Sequence, residues 1–291
     1  MKLKLFVMAL LAAETLYTSA SYAATNAEVD ANLRKGRGIE SSGEPLKALP
    51  IFEMALKEAT AKAPGSVDEA EALTELGECY REIGQSAKAV PLLEKAIDIA
   101  DKKGNLEISV AALANLALLL SDAGQYQESF ACYMRCLDQI GKMPHPDAST
   151  QAKLENNMGL LLEKSEKHEQ AIRMYQRALD HSAADESLSG LHIACLGNIA
   201  MSYKASKNLP QAEEYASKAV NEAKEVSGED NLDYGYALAQ QGMILVESHK
   251  FKEAKPALSQ AITILEKSLG AKHPQVANVK ESYAECLAGL K

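Results

Sequence analysis

"TELGECYREIGQSAKAVPLLEKAI", residues 74–97, decides the fold because the chain repeats it without a gap. The later copies are "ANLALLLSDAGQYQESFACYMRCL" (114–137), "NNMGLLLEKSEKHEQAIRMYQRAL" (156–179), "GNIAMSYKASKNLPQAEEYASKAV" (197–220) and "AQQGMILVESHKFKEAKPALSQAI" (239–262). A weaker copy, "LRKGRGIESSGEPLKALPIFEMAL" (33–56), precedes them. Self-similarity at a fixed period is the signature of a repeat architecture and governs every later reading. Within a copy the apolar residues are spaced by three and four, the helical period. The pattern breaks once per copy, around Gly43, Gly84, Gly124, Glu166, Lys207 and His249. Each copy therefore reads as a hairpin of two helices.

The aligned columns carry packing information. One column is small where two helices must approach closely: Gly36, Gly77, Ala117, Gly159, Ala200 and Gly242. A second follows twelve residues on (Ala48, Ala89, Ser129, Ala171, Ala212, Ala254), and a third seven later (Ala55, Ala96, Cys136, Ala178, Ala219, Ala261). Large residues such as Phe52, Leu93, Tyr133, Tyr175 and Leu258 stand between them, so small is expected to face large across each hairpin. Helix stop signals recur between copies at Gly65, Gly104, Gly141, Gly228 and Gly270. Ser66-Val67-Asp68-Glu69 is a capping-box pattern. Pro50, Pro91 and Pro256 share a column near the start of the second helix, where a missing N–H costs little.

Composition agrees with an all-α protein. The 291 residues are 47% hydrophobic and only 5% aromatic, without tryptophan, a balance suited to helices packed through small and aliphatic side chains. The formal charge of −9, with no cluster of Lys and Arg, opposes approach to phosphate backbones, so nucleic acid is not an expected partner. Lys2 and Lys4 precede a compact apolar run, Leu5 to Ala13, and Ser21-Tyr22-Ala23 offers a small-x-small cleavage pattern. Residues 1–23 are thus expected to be a secretory signal, and the product an exported protein, periplasmic or extracellular, without a membrane span.

The intervals of Leu-Gly, Tyr, Ala, an aromatic and Ala resemble the tetratricopeptide repeat. The spacing of about 41 residues, with "PHPDAST" (144–150) and "LGAKHPQVA" (269–277) between copies, is similar to the kinesin-light-chain subtype of that repeat. The resemblance implies an α-solenoid, a right-handed superhelix of hairpins, forming one domain over 24–291. Its repeats would run approximately over 29–65, 66–106, 107–146, 147–188, 189–230 and 231–272, closed by a capping helix over 274–290. It also implies that the first helix of each hairpin lines the concave side, where a protein or peptide partner binds.

Counting from the small column places candidate groove residues. Two positions before it stand Asn115, Asn157, Asn198 and Gln240, after Glu75 in the earlier copy. Such amides donate and accept at once and can pair with the backbone of an extended peptide. The same side chains can equally join hydrogen bonds between neighbouring helices. One position after the column lie Leu118, Leu160, Met201 and Met243, an apolar row in which Met suits an adaptable surface. Lys153, Lys164 and Lys204 stand beside these rows, where they could meet carboxylates or remain solvated helix charges. The carboxylate clamp of the family is not expected, since Thr74 and Glu78 occupy its place.

Catalytic chemistry has little support. Cys79, Cys132, Cys136, Cys195 and Cys286 are an odd number for a disulfide framework, and their columns are packing columns. Cys132 and Cys136 lie one turn apart, but no further metal ligand accompanies them. The six histidines scatter with no metal-binding spacing, and no phosphate loop or nucleophile elbow is present. The expectation is a binding scaffold, neither an enzyme nor a cofactor carrier, with self-association as the alternative.

Overall fold

Every hairpin turn in the chain uses one backbone device, and it sits where the repeat pattern breaks. Residues 43, 84, 124, 166, 207 and 249 all have positive φ, between 57° and 78°. Each is followed by an N–H that reaches back five residues, for example Gln85 to the Tyr80 carbonyl and Lys167 to the Leu162 carbonyl. This Schellman geometry satisfies the carbonyls left open at a helix end and turns the chain into the next helix. Glycine serves at the first three turns, whereas Glu166, Lys207 and His249 take the left-handed conformation at the other three.

A computed structural model describes residues 27–183 and 185–291. The expected signal sequence, 1–23, lies outside the described residues. Among those described, the chain is all-α, an α-solenoid of stacked hairpins with thirteen α-helices and no strand. They divide into two compact units, one ending at Met143 and the other starting at Pro144. The first unit holds α1 (27–40), α2 (Pro45–Lys62), α3 (Val67–Glu82), α4 (Ser86–Lys103), α5 (Leu106–Asp122) and α6 (Tyr126–Ile140). The second holds α7 (Ala148–Lys164), α8 (His168–Ser182), α9 (Ser189–Ala205), α10 (Leu209–Val226), α11 (Leu232–Glu247), α12 (Phe251–Leu269) and α13 (Pro274–Gly289). Odd-numbered helices are the first helices of hairpins and even-numbered ones the second. No described helix is long and apolar enough to cross a membrane.

Two entry mechanisms alternate along the chain. The first helices α3, α5, α7, α11 and α13 are capped by the side chains of Ser66, Asn105, Asp147, Asn231 and His273. Most second helices have no side-chain cap, because the Schellman turn already delivers their first residues; Asn208 before α10 is the exception. The expected capping box is half formed: Ser66 accepts from the Glu69 N–H, but the Glu69 carboxylate takes the Gly65 N–H.

Small does face large. A Cβ on Gly36 would lie 2.4 Å from the Phe52 ring, one on Gly77 2.7 Å from Leu93, one on Gly159 2.4 Å from Tyr175, and one on Gly242 2.5 Å from Leu258. In the third hairpin Ser129 donates to the Ala117 carbonyl at 2.7 Å, so the close approach is itself hydrogen-bonded. The fifth hairpin differs, because Ala216 stands where the others have a large residue; Ala200, Ala212, Ala216 and Ile244 form one cluster, with Met201, Tyr203 and Tyr215 packed against it.

Polar clips join consecutive hairpins at another shared register, six residues before the amide column. Buried Glu69 accepts from Thr60 and Lys95 at 3.0 and 2.7 Å. Ser109 donates to Asp101 at 2.8 Å and accepts from Gln139 at 2.9 Å. His192 meets Ser182 at 3.0 Å and Glu222 at 3.7 Å. The prolines correct an expectation: Pro50, Pro91 and Pro256 are sixth in their helices, beyond the first turn. Each removes one intrahelical bond, from the carbonyl of Leu46, Ala87 or Lys252, and all three of those residues are exposed, so water can take the acceptor.

Candidate functional site

In the first unit the first-helix face is charged and largely paired within itself. The Arg37 guanidinium at the end of α1 holds Glu71 and Glu75 of α3 at 2.5 and 2.8 Å. Arg81 donates to the Asn115 carbonyl oxygen at 3.1 Å, and the Asn115 amide donates to Glu78 at 3.2 Å and to the Ala111 carbonyl at 3.3 Å. Asn115 is buried in this network, and Leu118 beside it is half-buried. Carboxylates outnumber the arginines here. Burial first, and then the negative charges of Glu78, Glu82 and Glu75, push the Glu40 carboxyl up to about 7 against the opposing pull of Arg81.

The second unit places its amides differently. Asn198 donates to the Asn156 side-chain oxygen at 3.2 Å, and the same oxygen accepts the Cys195 thiol at 3.5 Å. Asn156 in turn donates to Asn157 at 3.4 Å. Gln240 lies over α9 at Gly197, where a Cβ would stand 2.0 Å from its side-chain oxygen; the absence of a side chain at 197 is what admits it. Leu160 is 41% exposed, while Met201 and Met243 are half-buried against the hairpin interior. Lys153 is exposed and helps to lower the Asp147 carboxyl, which is held down mainly by the Thr150 hydroxyl. Lys204 is half-buried and adds to the effect of Lys207 in lowering Glu247. Lys164 is exposed at the end of α7.

Asn198 and Gln240 meet in one cleft of about 270 Å³ on the first-helix face, between α9, α11 and α13. Asp233, Tyr236 and Gln275 complete its polar lining, and Ala194 forms part of its floor. Ser227 donates to the Asp233 carboxylate at 3.2 Å, and the Tyr236 hydroxyl donates to Gln275. Sequence reasoning missed these three residues although their register was visible. Tyr236 and Asp233 stand four and seven residues before Gln240, the same face one and two turns earlier.

All five cysteines are free thiols. Burial pushes the thiols of Cys79, Cys136 and Cys195 up to about 12 and raises those of Cys132 and Cys286. Cys79 and Cys286, which share one column of the repeat, donate to the Pro45 and Phe251 carbonyls at the head of the preceding second helix. Among the described residues no three His, Cys, Asp or Glu side chains come together to hold a metal.

A tetratricopeptide repeat family model matches residues 29–102, 109–184 and 192–267. None of the curated proteins matches the chain. Among solved structures, a signal transduction ATPase with a tetratricopeptide repeat sensor from Pyrococcus horikoshii is similar at a TM-score of 0.72 and 18% identity, covering 90% of this chain and 39% of that one. BtubC (BKLC) from P. vanneervenii is similar at 0.64 and 16%, covering 86% and 94%. The "kinesin light chain nearly identical TPR-like repeats" of Podosopora anserina are similar at 0.56 and 17%, covering 68% and 96%. At these identities the likeness is one of fold.

Proposed function

We propose a function from one premise: this chain belongs to the tetratricopeptide repeat family. The proposed role is a scaffold that holds an extended segment of a partner protein against the first-helix face and so brings that partner into an assembly. The observation that carries the reading is the cleft in which Asn198 and Gln240 sit together with hydrogen-bonding capacity still open. Side-chain amides there suit the backbone of an extended chain, which offers donors and acceptors in alternation. The first-helix face of the first unit supports the reading less directly, since Asn115 and both arginines are already engaged with neighbours.

The reading includes export. Its support is the basic start, the apolar run from Leu5 to Ala13 and the Ser21-Tyr22-Ala23 pattern, and on this reading the partner is periplasmic or extracellular. No enzymatic role is proposed.

The test is affinity capture of the tagged full chain from its native source, set against an Asn198→Ala/Gln240→Ala double variant of unchanged helical content. Partners should be lost from the variant. Equal recovery by both proteins refutes the groove reading. A second reading, self-association, rests on α13, where Ala284 and Leu287 take columns that a second helix covers in the other hairpins and are both exposed. Sedimentation over a hundredfold concentration range decides it, because a concentration-independent monomer ends that reading.

A further inference from the structure

The polar groups around the α9/α11/α13 cleft are unevenly spent, and the imbalance identifies a ligand group. Asn198 uses an amide hydrogen on Asn156, which leaves its carbonyl oxygen as the unspent acceptor. Tyr236 gives its proton to Gln275, so the phenolic oxygen presents lone pairs. Asp233 can only accept, and a single hydroxyl, that of Ser227, bonds to its carboxylate. Among the described residues no cation pairs with Asp233, whereas half-buried Glu75 and Glu213 each hold one. The cleft's one ionised group is therefore negative and unbalanced, and its open valences are mostly acceptors.

Size and shape narrow the choice. A volume of about 270 Å³ falls just below the range of roughly 300–1,000 Å³ typical of small-molecule and cofactor sites, and is on the scale of one long side chain. Asp233 and Tyr236 are three residues apart on α11, so the carboxylate and the ring lie on one helix face. A planar cation can meet both at once: its edge pairs with a carboxylate while its plane lies against an aromatic ring. An ammonium lacks the plane and the fork of donors that would reach Asp233 and the amide oxygens together.

The geometry points to a subsite for an arginine side chain of the bound segment, with the guanidinium on Asp233, stacked on Tyr236, and directed to the oxygens of Asn198 and Gln240. This rests on the groove reading above and adds to it the chemistry of the partner. A neutral or acidic segment would leave Asp233 uncompensated in a cleft it had closed to water, which costs free energy. The net charge of −9 favours the approach of a basic segment over an acidic one.

The test uses the full chain and fluorescein-labelled peptides of alternating Ala and Ser around one central residue: arginine, lysine, neutral citrulline or glutamate. Binding is read by anisotropy. The arginine peptide should bind about tenfold more tightly than the citrulline peptide, as a charge-assisted pair implies, with lysine between them and glutamate weakest. Asp233→Asn should abolish the preference for arginine over citrulline, and Tyr236→Leu should weaken the arginine peptide severalfold. Raising salt on the unaltered protein should shrink the arginine advantage, an arm that needs no variant to fold. Equal binding of arginine and citrulline, or an arginine preference that survives Asp233→Asn, overturns the subsite and leaves the groove reading standing. If no peptide binds up to millimolar concentration, or if binding is indifferent to Asn198→Ala and Gln240→Ala, both fall.

Discussion

Replacing Glu166 by glycine should stabilise the protein, although it deletes a side chain and adds flexibility to the unfolded chain. Glu166, Lys207 and His249 hold φ of 57°, 62° and 58°, the region that L-residues avoid because Cβ crowds the following carbonyl. The cost of that conformation is roughly 1–2 kcal/mol per residue. Glycine removes it but loses more entropy on folding, roughly 0.5–1 kcal/mol. The difference leaves about 0.5–1 kcal/mol in favour of Glu166→Gly. At Lys207 the same change also breaks the 2.7 Å ion pair with Glu247, whose exposed partners make it worth a few tenths of a kcal/mol, so Lys207→Gly should come out near neutral. His249→Gly should fall between them, because an edge contact with the Phe251 ring at 5.7 Å is lost. Gly84, at φ 73° in the same column, supplies the reverse test: Gly84→Ala should cost about 1 kcal/mol. Urea midpoints, read by circular dichroism with the slope checked for constancy, measure all four. A Glu166→Gly that is neutral or destabilising beside a harmless Gly84→Ala would show that these turns are not strained and refute the reasoning.

Tyr133 and Tyr175 bury hydroxyl groups that have no protein partner, so Tyr175→Phe should raise stability by about 1 kcal/mol, measured by the same urea midpoint. Native labelling with a thiol reagent, read by mass, should modify Cys132 first and alone, because it is the one cysteine of the five that is not buried; all five should label once denaturant is added. Glu40 has a folded-state pKa of about 7 against an ordinary 4.5, so the folded state binds the extra proton and stability falls as pH rises from about 4.5 to about 7. Glu40→Gln should flatten that slope, gaining stability above pH 7 and none below pH 4.5; with solvent screening at this half-buried site the gain is about 1 kcal/mol, measured as unfolding midpoint against pH. Glu155 is fully buried in a column that holds Leu73, Leu113, Leu196 and Leu238 elsewhere, and its partners Arg177 and His181 are both more than 30% exposed. Glu155→Leu should therefore be neutral or stabilising by about 1 kcal/mol, since the freed Arg177 and His181 side chains rehydrate, while Arg177→Met should be destabilising because it strands the carboxylate; calorimetric midpoints distinguish the two.

The hairpins were legible because packing imposes its period directly on composition. Gly36, Gly77, Gly159 and Gly242 are small since Phe52, Leu93, Tyr175 and Leu258 occupy the space of a Cβ, and the same constraint recurs in each copy. The turn column was legible even where glycine is absent, because Glu166, Lys207 and His249 inherit their position from register alone. The proline column lies near the start of each second helix but past its first turn, since a break in apolar spacing locates a turn but not the first residue of the helix that follows it. Polar contacts between hairpins were hidden for a different reason. Arg37 finds Glu71 and Glu75 across a separation of 34 and 38 residues, and which side chains meet depends on the rotation of each helix about its axis. A column lists which residues share a face and says nothing of that angle.

The amide column shows what the angle decides. Glu75, Asn115, Asn157, Asn198 and Gln240 occupy equivalent positions, yet they have different fates. Glu75 is neutralised by Arg37, and Asn115 is enclosed between Arg81 and Glu78. Asn198 is half engaged by Asn156, while Gln240 lies over Gly197 and borders the cleft. The residues that sort these outcomes stand one place earlier in the repeat: Asn156 supplies an acceptor, and Gly197 supplies room. Recognition capacity on this face is thus set by the neighbour that an amide is given, since an amide whose valences are filled by the next helix cannot also be read by a ligand. The cleft of the second unit is where small and acceptor-rich neighbours leave valences open. That is why one column of similar residues yields structural struts in one unit and an open cleft in the other.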